Sequence, residues 1–303
     1  NRREALKRER TLLNEVDEGL YRTGSRLMTL EQFLDLWKTE KQNSVRKMTW
    51  RFYENIISNY FPKRLLKKQI QRIEPLDISR VINSLSKAGK VSTALQIHVT
   101  LKVIFNSAVK KGAVIRNPVL SVAKPKPNKK EMKTITPDQW RKIRDYMEAK
   151  KPRFLVAMTV LITIGLRRAE LSGLQWQDID FERMLLRVRR SFHTIDRQPV
   201  YSPPKTECSR RSVALDLHTL EMLERHRAET ELLWFMWDET VQPESPVVSI
   251  DRKMPIKPDT LTQTWIRIRD GAGLPNVRLH DLRHSAAYLM LDAGTPVGDV
   301  SNR

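Results

Sequence analysis

The sequence predicts a mainly α-helical protein with a small antiparallel β-sheet, divided between two domains. Apolar residues recur at the spacing of amphipathic helices along most of the 303 residues. Strand-like alternation of side chains is confined to residues 184–215. A stretch rich in lysine and proline, residues 121–133, separates the two helical regions. The first region is therefore predicted to be a helical domain and the second a mixed α/β domain.

The first domain is assigned to residues 26–120 and is predicted to be a bundle of four helices. Thr29 is the predicted N-cap of its first helix, with Gln32 as the capping-box partner. The residues of the second helix that are expected to point into the core are Val45, Met48, Phe52, Ile56 and Tyr60. The three later helices are predicted over residues 44–60, 77–88 and 92–111.

The second domain is assigned to residues 134–303. Its first helix is predicted to follow Thr136 as N-cap, with Pro137 at the first helical position. Residues 184–191 are predicted to form a strand, and residues 200–215 a hairpin with a basic tip. Its helices are predicted over residues 137–150, 153–165, 217–236, 258–271 and 280–293.

The net charge indicates the kind of partner. A formal charge of +20 favours a polyanion, and nucleic acid is the commonest. A membrane surface is the competing partner, but the basic residues are spread over several helices and do not form one amphipathic anchor. The longest apolar run, residues 154–166, is interrupted by polar residues, so no membrane-spanning helix is expected. The single cysteine, Cys208, excludes an internal disulfide and a cysteine-based zinc site, which predicts a reducing cytoplasm.

Basic residues of the first domain and of the segment that follows it are predicted to contact the DNA backbone. Residues 121–133 hold two prolines and five lysines, which favour an extended cationic strap between the domains. A solvated helix face and an ordinary interdomain linker are the alternative interpretations. The predicted contacts are Arg46, Lys47, Arg51, Lys124, Lys126, Lys129 and Lys130.

Four residues of the second domain form a candidate site for phosphoryl transfer, namely Arg167, Lys205, His280 and Arg283. Two planar guanidinium groups match two non-bridging oxygens of a phosphate. A lysine can protonate a leaving oxygen, and a histidine can move a proton near neutral pH. The alternative is structural, with Arg283 paired to a carboxylate and His280 at the surface.

The sequence lacks the common metal-binding and nucleotide-binding motifs. We find no group of Asp and Glu at metal-ligand spacing, no glycine-rich phosphate loop and no His-Glu-x-x-His. No cofactor and no metal site are therefore predicted. Phosphoryl chemistry would rely on protein cations and on a covalent intermediate with a side-chain nucleophile.

Three motifs together resemble the tyrosine recombinase family, specifically the phage-type integrases. They are Gly-Leu-Arg-Arg-Ala-Glu-Leu at residues 165–171, Pro-Lys-Thr at 204–206 and Leu-His-Asp-Leu-Arg-His-Ser at 279–285. The resemblance runs from about residue 26 to the end of the chain. It implies that residues 26–120 bind a core DNA site, that 121–133 are the basic linker and that 134–303 are catalytic. Residues 1–20 resemble the last helix of an incomplete arm-site-binding domain.

The resemblance also implies roles for individual residues. Arg167 and Arg283 would clamp the scissile phosphate, Lys205 would protonate the leaving 5′ oxygen, and His280 would be the histidine of the His-x-x-Arg pair. His284 and Glu170 are given supporting roles, Glu170 by fixing its helix or orienting Arg167. Three further arginines beside these motifs are predicted DNA contacts, namely Arg168, Arg210 and Arg211.

The nucleophile is where this chain departs from the family pattern. In the family, a Gly-His or Gly-Trp pair and then the nucleophilic tyrosine follow the second arginine, and neither is found before Arg303. Tyr201 and Tyr288 are interpreted as packing residues. We therefore expect the nucleophile segment to lie outside residues 1–303.

The function implied by the resemblance is site-specific DNA recombination through a 3′-phosphotyrosyl intermediate, without metal. Double-stranded DNA with core attachment sites would be the substrate, bound by a homotetramer. A phage or other mobile element in the bacterial cytoplasm, at the nucleoid, is the expected setting, with DNA-bending proteins and an excision factor as further partners. A non-catalytic DNA-binding clamp and a type IB topoisomerase are the alternatives.

Overall fold

The computed structural model describes residues 27–128, 133–195, 198–203, 210–249, 254–274 and 277–292, together with residues 3, 4, 6, 9, 10 and 294. The chain divides into two compact units, residues 1–129 and residues 130–303. Each unit has its own cluster of buried apolar side chains. The predicted fold class, mainly helical with small antiparallel sheets, is confirmed.

The first unit is helical. Its first helix is capped as predicted, because the Gln32 N–H donates to Thr29 Oγ1 at 3.2 Å and the Thr29 N–H donates to Gln32 Oε1 at 2.9 Å. The fifth helix stops before Gly112, whose φ of 69° is the left-handed conformation common at helix ends. The helices are α1 Leu30–Ser44, α2 Lys47–Tyr60, α3 Lys63–Leu66, α4 Pro75–Lys87 and α5 Val91–Lys110.

The predicted inward face of α2 is confirmed at Ile56, which is buried, and was wrong at two positions. Met48 is 47% exposed and Phe52 is 36% exposed. Trp50 is buried instead, because its ring packs near the buried Trp37 ring of α1, with 6.3 Å between ring centroids. The largest apolar side chain therefore sets the buried face of α2. The one-turn helix α3 was also not predicted.

The second unit is built around the apolar helix α7, in which residues 157–162 are all buried. Helix α6 has the predicted N-cap, Thr136, whose Oγ1 accepts from the Gln139 N–H at 3.3 Å. The helices of this unit are α6 Pro137–Lys150, α7 Leu155–Thr163, α8 Arg168–Ser172, α9 Leu217–Phe235, α10 Pro258–Gly271 and α11 Leu282–Asp292. A single turn of 3-10 helix, Leu279–Asp281, leads into α11.

The strands of this unit pair differently from the prediction. A three-stranded antiparallel sheet has the order β1 Ile179–Asp180, β2 Leu185–Val188, β5 Arg211–Ala214, and a separate hairpin joins β3 Ser191–Ile195 to β4 Gln198–Ser202. Residues 200–215 therefore do not form one hairpin. Strand β5 pairs with β2 because Val213 is buried opposite Leu186, on the face that covers the core.

No described helix is long and apolar enough to cross a membrane.

A buried serine joins the segment before α6 to α11, and its removal tests this connection. Ser285 Oγ accepts from the Ile135 N–H at 3.0 Å and donates to the Asp281 carbonyl at 3.1 Å. We expect Ser285→Ala to lower the free energy of unfolding by about 1–3 kcal/mol, because a buried N–H loses its acceptor. Urea unfolding measures this loss.

Ser172→Ala is the matched control. Ser172 is buried, and its Oγ has no hydrogen-bond partner within the described residues. Its replacement should leave stability unchanged or raise it, because the Ser172 hydroxyl is buried without a hydrogen bond to offset its desolvation. Equal losses in the two variants would contradict the assignment of Ser285 as a connecting residue.

Candidate active site

A glycine turn places Arg167 at the head of α8. After α7, Gly165 adopts a φ of 72°, and Arg167 becomes the N-cap residue of α8. A Cβ atom at Gly165 would meet the Ala286 Cβ at 3.2 Å and the Arg283 Cγ at 3.7 Å. The turn therefore needs glycine both for its backbone conformation and for its close approach to α11.

Arg283 reaches the same turn from α11. Its Nη1 donates to the Gly165 carbonyl at 2.6 Å, across 118 residues of sequence. Burial lowers the pKa of Arg283, and the positive charges of Arg211 and Arg167 lower it further. The nearby Glu170 carboxylate opposes this lowering but does not cancel it, so an additional anion would interact favourably with Arg283.

A buried carboxylate holds two of these arginines. Glu170 is 4% exposed, and its oxygens accept from Arg167 Nη1 at 2.7 Å and from the Arg167 backbone N–H at 2.9 Å. Arg211 donates to both oxygens, with Nη1–Oε1 at 3.3 Å and Nη2–Oε2 at 3.0 Å. Burial raises the pKa of Glu170, but the hydrogen bonds from Arg211 and from the Arg167 backbone outweigh it, so the pKa lies below its ordinary value. The expected contact of Glu170 with Arg167 is present.

Arg211 contradicts its prediction as a DNA contact. Its side chain is 9% exposed, and its guanidinium is bound to the buried Glu170 carboxylate. The physical reason is the register of β5, in which Arg211 lies on the same face as the buried Val213. This alternation, continued by Leu215, was the sequence signal that could have identified Arg211 as an inward residue.

The neighbouring arginines differ from Arg211. Arg168 is half-exposed and donates to Asp259 Oδ1 at 3.0 Å and to Thr262 Oγ1 at 2.9 Å, both on α10. Arg210 is exposed. Both remain predicted DNA contacts.

Two histidines lie at the start of α11. His280 and His284 are exposed, and their ring centroids are 6.0 Å apart with nearly perpendicular planes. Partial burial lowers the pKa of His280, and the neighbouring His284 lowers it further. The neutral form of His280 is therefore favoured over the charged form at pH 7.

An ion pair that the sequence analysis did not predict, between Arg278 and Asp281, fixes the turn before α11. Arg278 donates to both oxygens of the buried Asp281, each at 2.8 Å. The Arg278 backbone N–H donates to the same carboxylate at 3.2 Å. This pair anchors the turn that carries His280, one residue before Asp281.

Several predicted residues lie outside the described part of the chain, namely Lys129, Lys130 and Lys205. In the first unit, the predicted DNA contacts that the structure describes are exposed, namely Arg46, Lys47, Arg51, Lys124 and Lys126. Within the described residues, no group of three or more His, Cys, Asp or Glu is arranged to hold a metal ion.

The packing interpretation of the two tyrosines is only partly correct. The Tyr201 ring contacts the Phe192 ring in an edge-on arrangement, with 5.3 Å between centroids, although Tyr201 remains exposed. Tyr288 is exposed on α11, so core packing does not account for it.

Arginines and histidines from two distant motifs converge here, and a cluster of this kind is suited to binding a phosphate group. Comparison with known families agrees with this interpretation. Residues 133–303 match the Phage integrase family, and residues 29–86 match the Phage integrase, N-terminal SAM-like domain. The chain belongs to the phage integrase family, the tyrosine recombinases, which cleave and rejoin DNA at specific sites.

Individual relatives are similar over nearly the whole chain. The tyrosine recombinase XerC-like protein of Caldanaerobacter subterraneus is 28% identical over 99% of this chain and 81% of its own length. The ICEBs1 integrase of Bacillus subtilis is 26% identical over 100% of this chain and 82% of its own length.

Solved structures share the fold at low sequence identity. The Tn1549 transposon integrase in complex with a circular intermediate DNA has a TM-score of 0.76 at 17% identity, covering 91% of this chain and 92% of that one. A lambda integrase dimer bound to a COC′ core site has a TM-score of 0.70 at 19% identity, covering 100% of this chain and 83% of that one.

Glu170→Gln tests the buried carboxylate. The substitution leaves two guanidinium groups beside a neutral amide, and we expect a loss of about 3 kcal/mol in the free energy of unfolding at pH 7. Folding lowers the pKa of Glu170, so the stability that its ionised form contributes is present above the ordinary glutamate pKa. This contribution is lost as the pH falls through the folded-state pKa.

The difference in stability between the unchanged protein and Glu170→Gln should therefore be largest at neutral pH and should shrink below about pH 4. Urea unfolding at a series of pH values measures it. A difference that stays constant with pH would show that the charge of Glu170 contributes nothing.

Proposed function

We propose that Arg167 and Arg283 bind the scissile phosphate of a DNA core site and stabilise the transition state of strand cleavage. The hydrogen bond from Arg283 Nη1 to the Gly165 carbonyl is the observation that carries this proposal, because it holds the two arginine-bearing segments together. Two guanidinium forks facing one phosphate match its non-bridging oxygens. They gain interaction energy as negative charge develops on those oxygens.

The hydrogen-bonding capacity of Arg167 supports this role. Its side chain is 49% exposed, and only Nη1 is engaged by Glu170. Within the described residues, its side chain has no other hydrogen-bond partner. The remaining N–H groups can donate to a phosphate oxygen.

Proton movements are assigned to two further residues. His280, whose lowered pKa favours its neutral form at pH 7, is suited to accept the proton of the attacking hydroxyl. His284, with its ring near that of His280, is given a supporting role. Lys205 is proposed as the donor to the leaving 5′ oxygen, on the family resemblance of the Pro-Lys-Thr motif at residues 204–206. The product is a 3′-phosphotyrosyl intermediate, and we assign its tyrosine to no residue of this chain.

DNA core sites are the proposed substrate, and a homotetramer is the proposed assembly. One structural neighbour is a lambda integrase tetramer bound to a Holliday junction, with a TM-score of 0.65 at 19% identity, covering 96% of this chain and 83% of that one. The exposed basic residues of the first unit fit contact with the DNA backbone. DNA-bending proteins, an excision factor and the nucleoid of a bacterial cell complete the proposed setting.

A non-catalytic DNA clamp is the second candidate. The charge of +20 and the exposed basic residues of the first unit support DNA binding whether or not cleavage occurs. Both functions predict that the affinity for duplex DNA falls steeply with salt. Only the recombinase function makes Arg167 essential for a covalent product.

A suicide DNA substrate tests the proposed function. We expect the full-length protein to form a covalent adduct with nicked core-site DNA in EDTA. Arg167→Ala and Arg283→Ala should each lower the rate of adduct formation by at least about 100-fold, because each removes charge stabilisation of the transition state. DNA affinity should fall by no more than about tenfold, because many other phosphate contacts remain.

Arg141→Ala is the matched control. Arg141 is an exposed arginine of α6 that pairs with Asp138, and its replacement should leave adduct formation unchanged. No adduct with the full-length protein, or an adduct that forms equally fast in Arg167→Ala, would favour the clamp.

A further inference from the structure

The ion pair between Arg211 and Glu170 places a third arginine behind the proposed phosphate site. Strand β5 carries Arg211, and its pairing with β2 turns the side chain inward. Both terminal nitrogens of Arg211 bind Glu170, and its buried Nε has no partner within the described residues. Arg211 is too buried to serve as a surface contact for DNA.

A buried arginine is a costly choice for a purely structural position. Its charge must leave water, and an apolar side chain of similar volume often packs there with equal or better stability. The charge of Arg211 also opposes that of Arg283. Packing alone therefore does not explain why an arginine occupies position 211.

Arg211 compensates the negative charge of Glu170, and this role explains an arginine at this position. Glu170 alone would neutralise Arg167 and would place a negative group beside the phosphate, which would oppose the negative charge that develops there during cleavage. With Arg211 bound to both carboxylate oxygens, one negative charge is shared by two positive ones. The three residues then keep a net charge of +1, and the positive charge of Arg167 remains available to the phosphate.

We propose that Arg211 is a positioning residue for DNA cleavage, which acts through Glu170. It fixes the carboxylate that orients Arg167, and it cancels the charge that this carboxylate would otherwise set against the phosphate. The inference rests on the proposed function of Arg167.

Removal of the Arg211 charge should slow cleavage without removing DNA binding. In the full-length protein, Arg211→Met should lower the rate of adduct formation at saturating DNA by about tenfold or more, while the DNA affinity changes by less than about threefold. Arg211→Lys keeps the charge but loses the two-nitrogen fork, so we expect an intermediate rate. If Arg211→Met does not fold, Arg211→Lys still tests the proposal. Its rate of adduct formation, compared with that of the unchanged protein, shows whether cleavage depends on the two-nitrogen contact between Arg211 and Glu170.

A second substitution separates this role from a structural one. In Arg211→Met, the Glu170 charge is balanced by Arg167 alone and neutralises it, so Glu170→Gln in the same protein should raise the rate of cleavage above that of Arg211→Met alone. The defect of Arg211→Met should also shrink as the pH falls, because protonation of Glu170 removes the same charge. If the pair of Arg211 and Glu170 were only structural, neither Glu170→Gln nor a lower pH would restore the cleavage rate of Arg211→Met.

Arg190→Met is the matched control, because Arg190 pairs at 2.6 Å with the buried Asp178, and neither residue belongs to the proposed site. It should lower stability but leave the cleavage rate of the folded protein unchanged. Equal slowing by Arg190→Met, or no rescue of Arg211→Met by Glu170→Gln, would overturn the inference.

Failure of this inference can be told apart from failure of the proposed function. If Arg167→Ala cleaves normally, the proposed function fails. If Arg167→Ala is inactive and Arg211→Met is not slowed, only the role of Arg211 fails.

Discussion

The site depends on one buried carboxylate that binds two guanidinium groups. Glu170 caps its own helix through the Arg167 backbone N–H, orients the Arg167 side chain and receives both terminal nitrogens of Arg211. A buried charge of this kind is stable only while its partners remain in place. The turn at residues 165–167, helix α8 and strand β5 are therefore connected through a single side chain.

Arg283 completes the arrangement from a distant part of the sequence. Its bond to the Gly165 carbonyl needs the close approach that a glycine at this position allows. The bidentate pair of Arg278 and Asp281 then fixes the turn that carries His280. Arg167 is thus held by a carboxylate and Arg283 by a backbone carbonyl, whereas His280 is positioned through the turn that carries it.

Local signals were predictable from the sequence, and long-range pairings were not. The cap Thr29 was predicted from its capping-box partner three residues on, and the cap Thr136 from the proline that follows it. The alternation of Arg211 with the apolar Val213 and Leu215 indicated an inward side chain, but its partner Glu170 was not predictable, because that contact depends on the pairing of β5 with β2. The inward position of Trp50 in α2 was missed because it depends on the position of Trp37 in another helix.

The central claim is that Arg167 and Arg283 both bind the scissile phosphate. Its most direct measurement is cleavage of DNA in which an uncharged methylphosphonate replaces the scissile phosphate. If both arginines act on the negative charge, the rate penalties of Arg167→Ala and Arg283→Ala should each shrink by at least about tenfold on this substrate. A penalty that is the same on both substrates for either arginine would contradict the account.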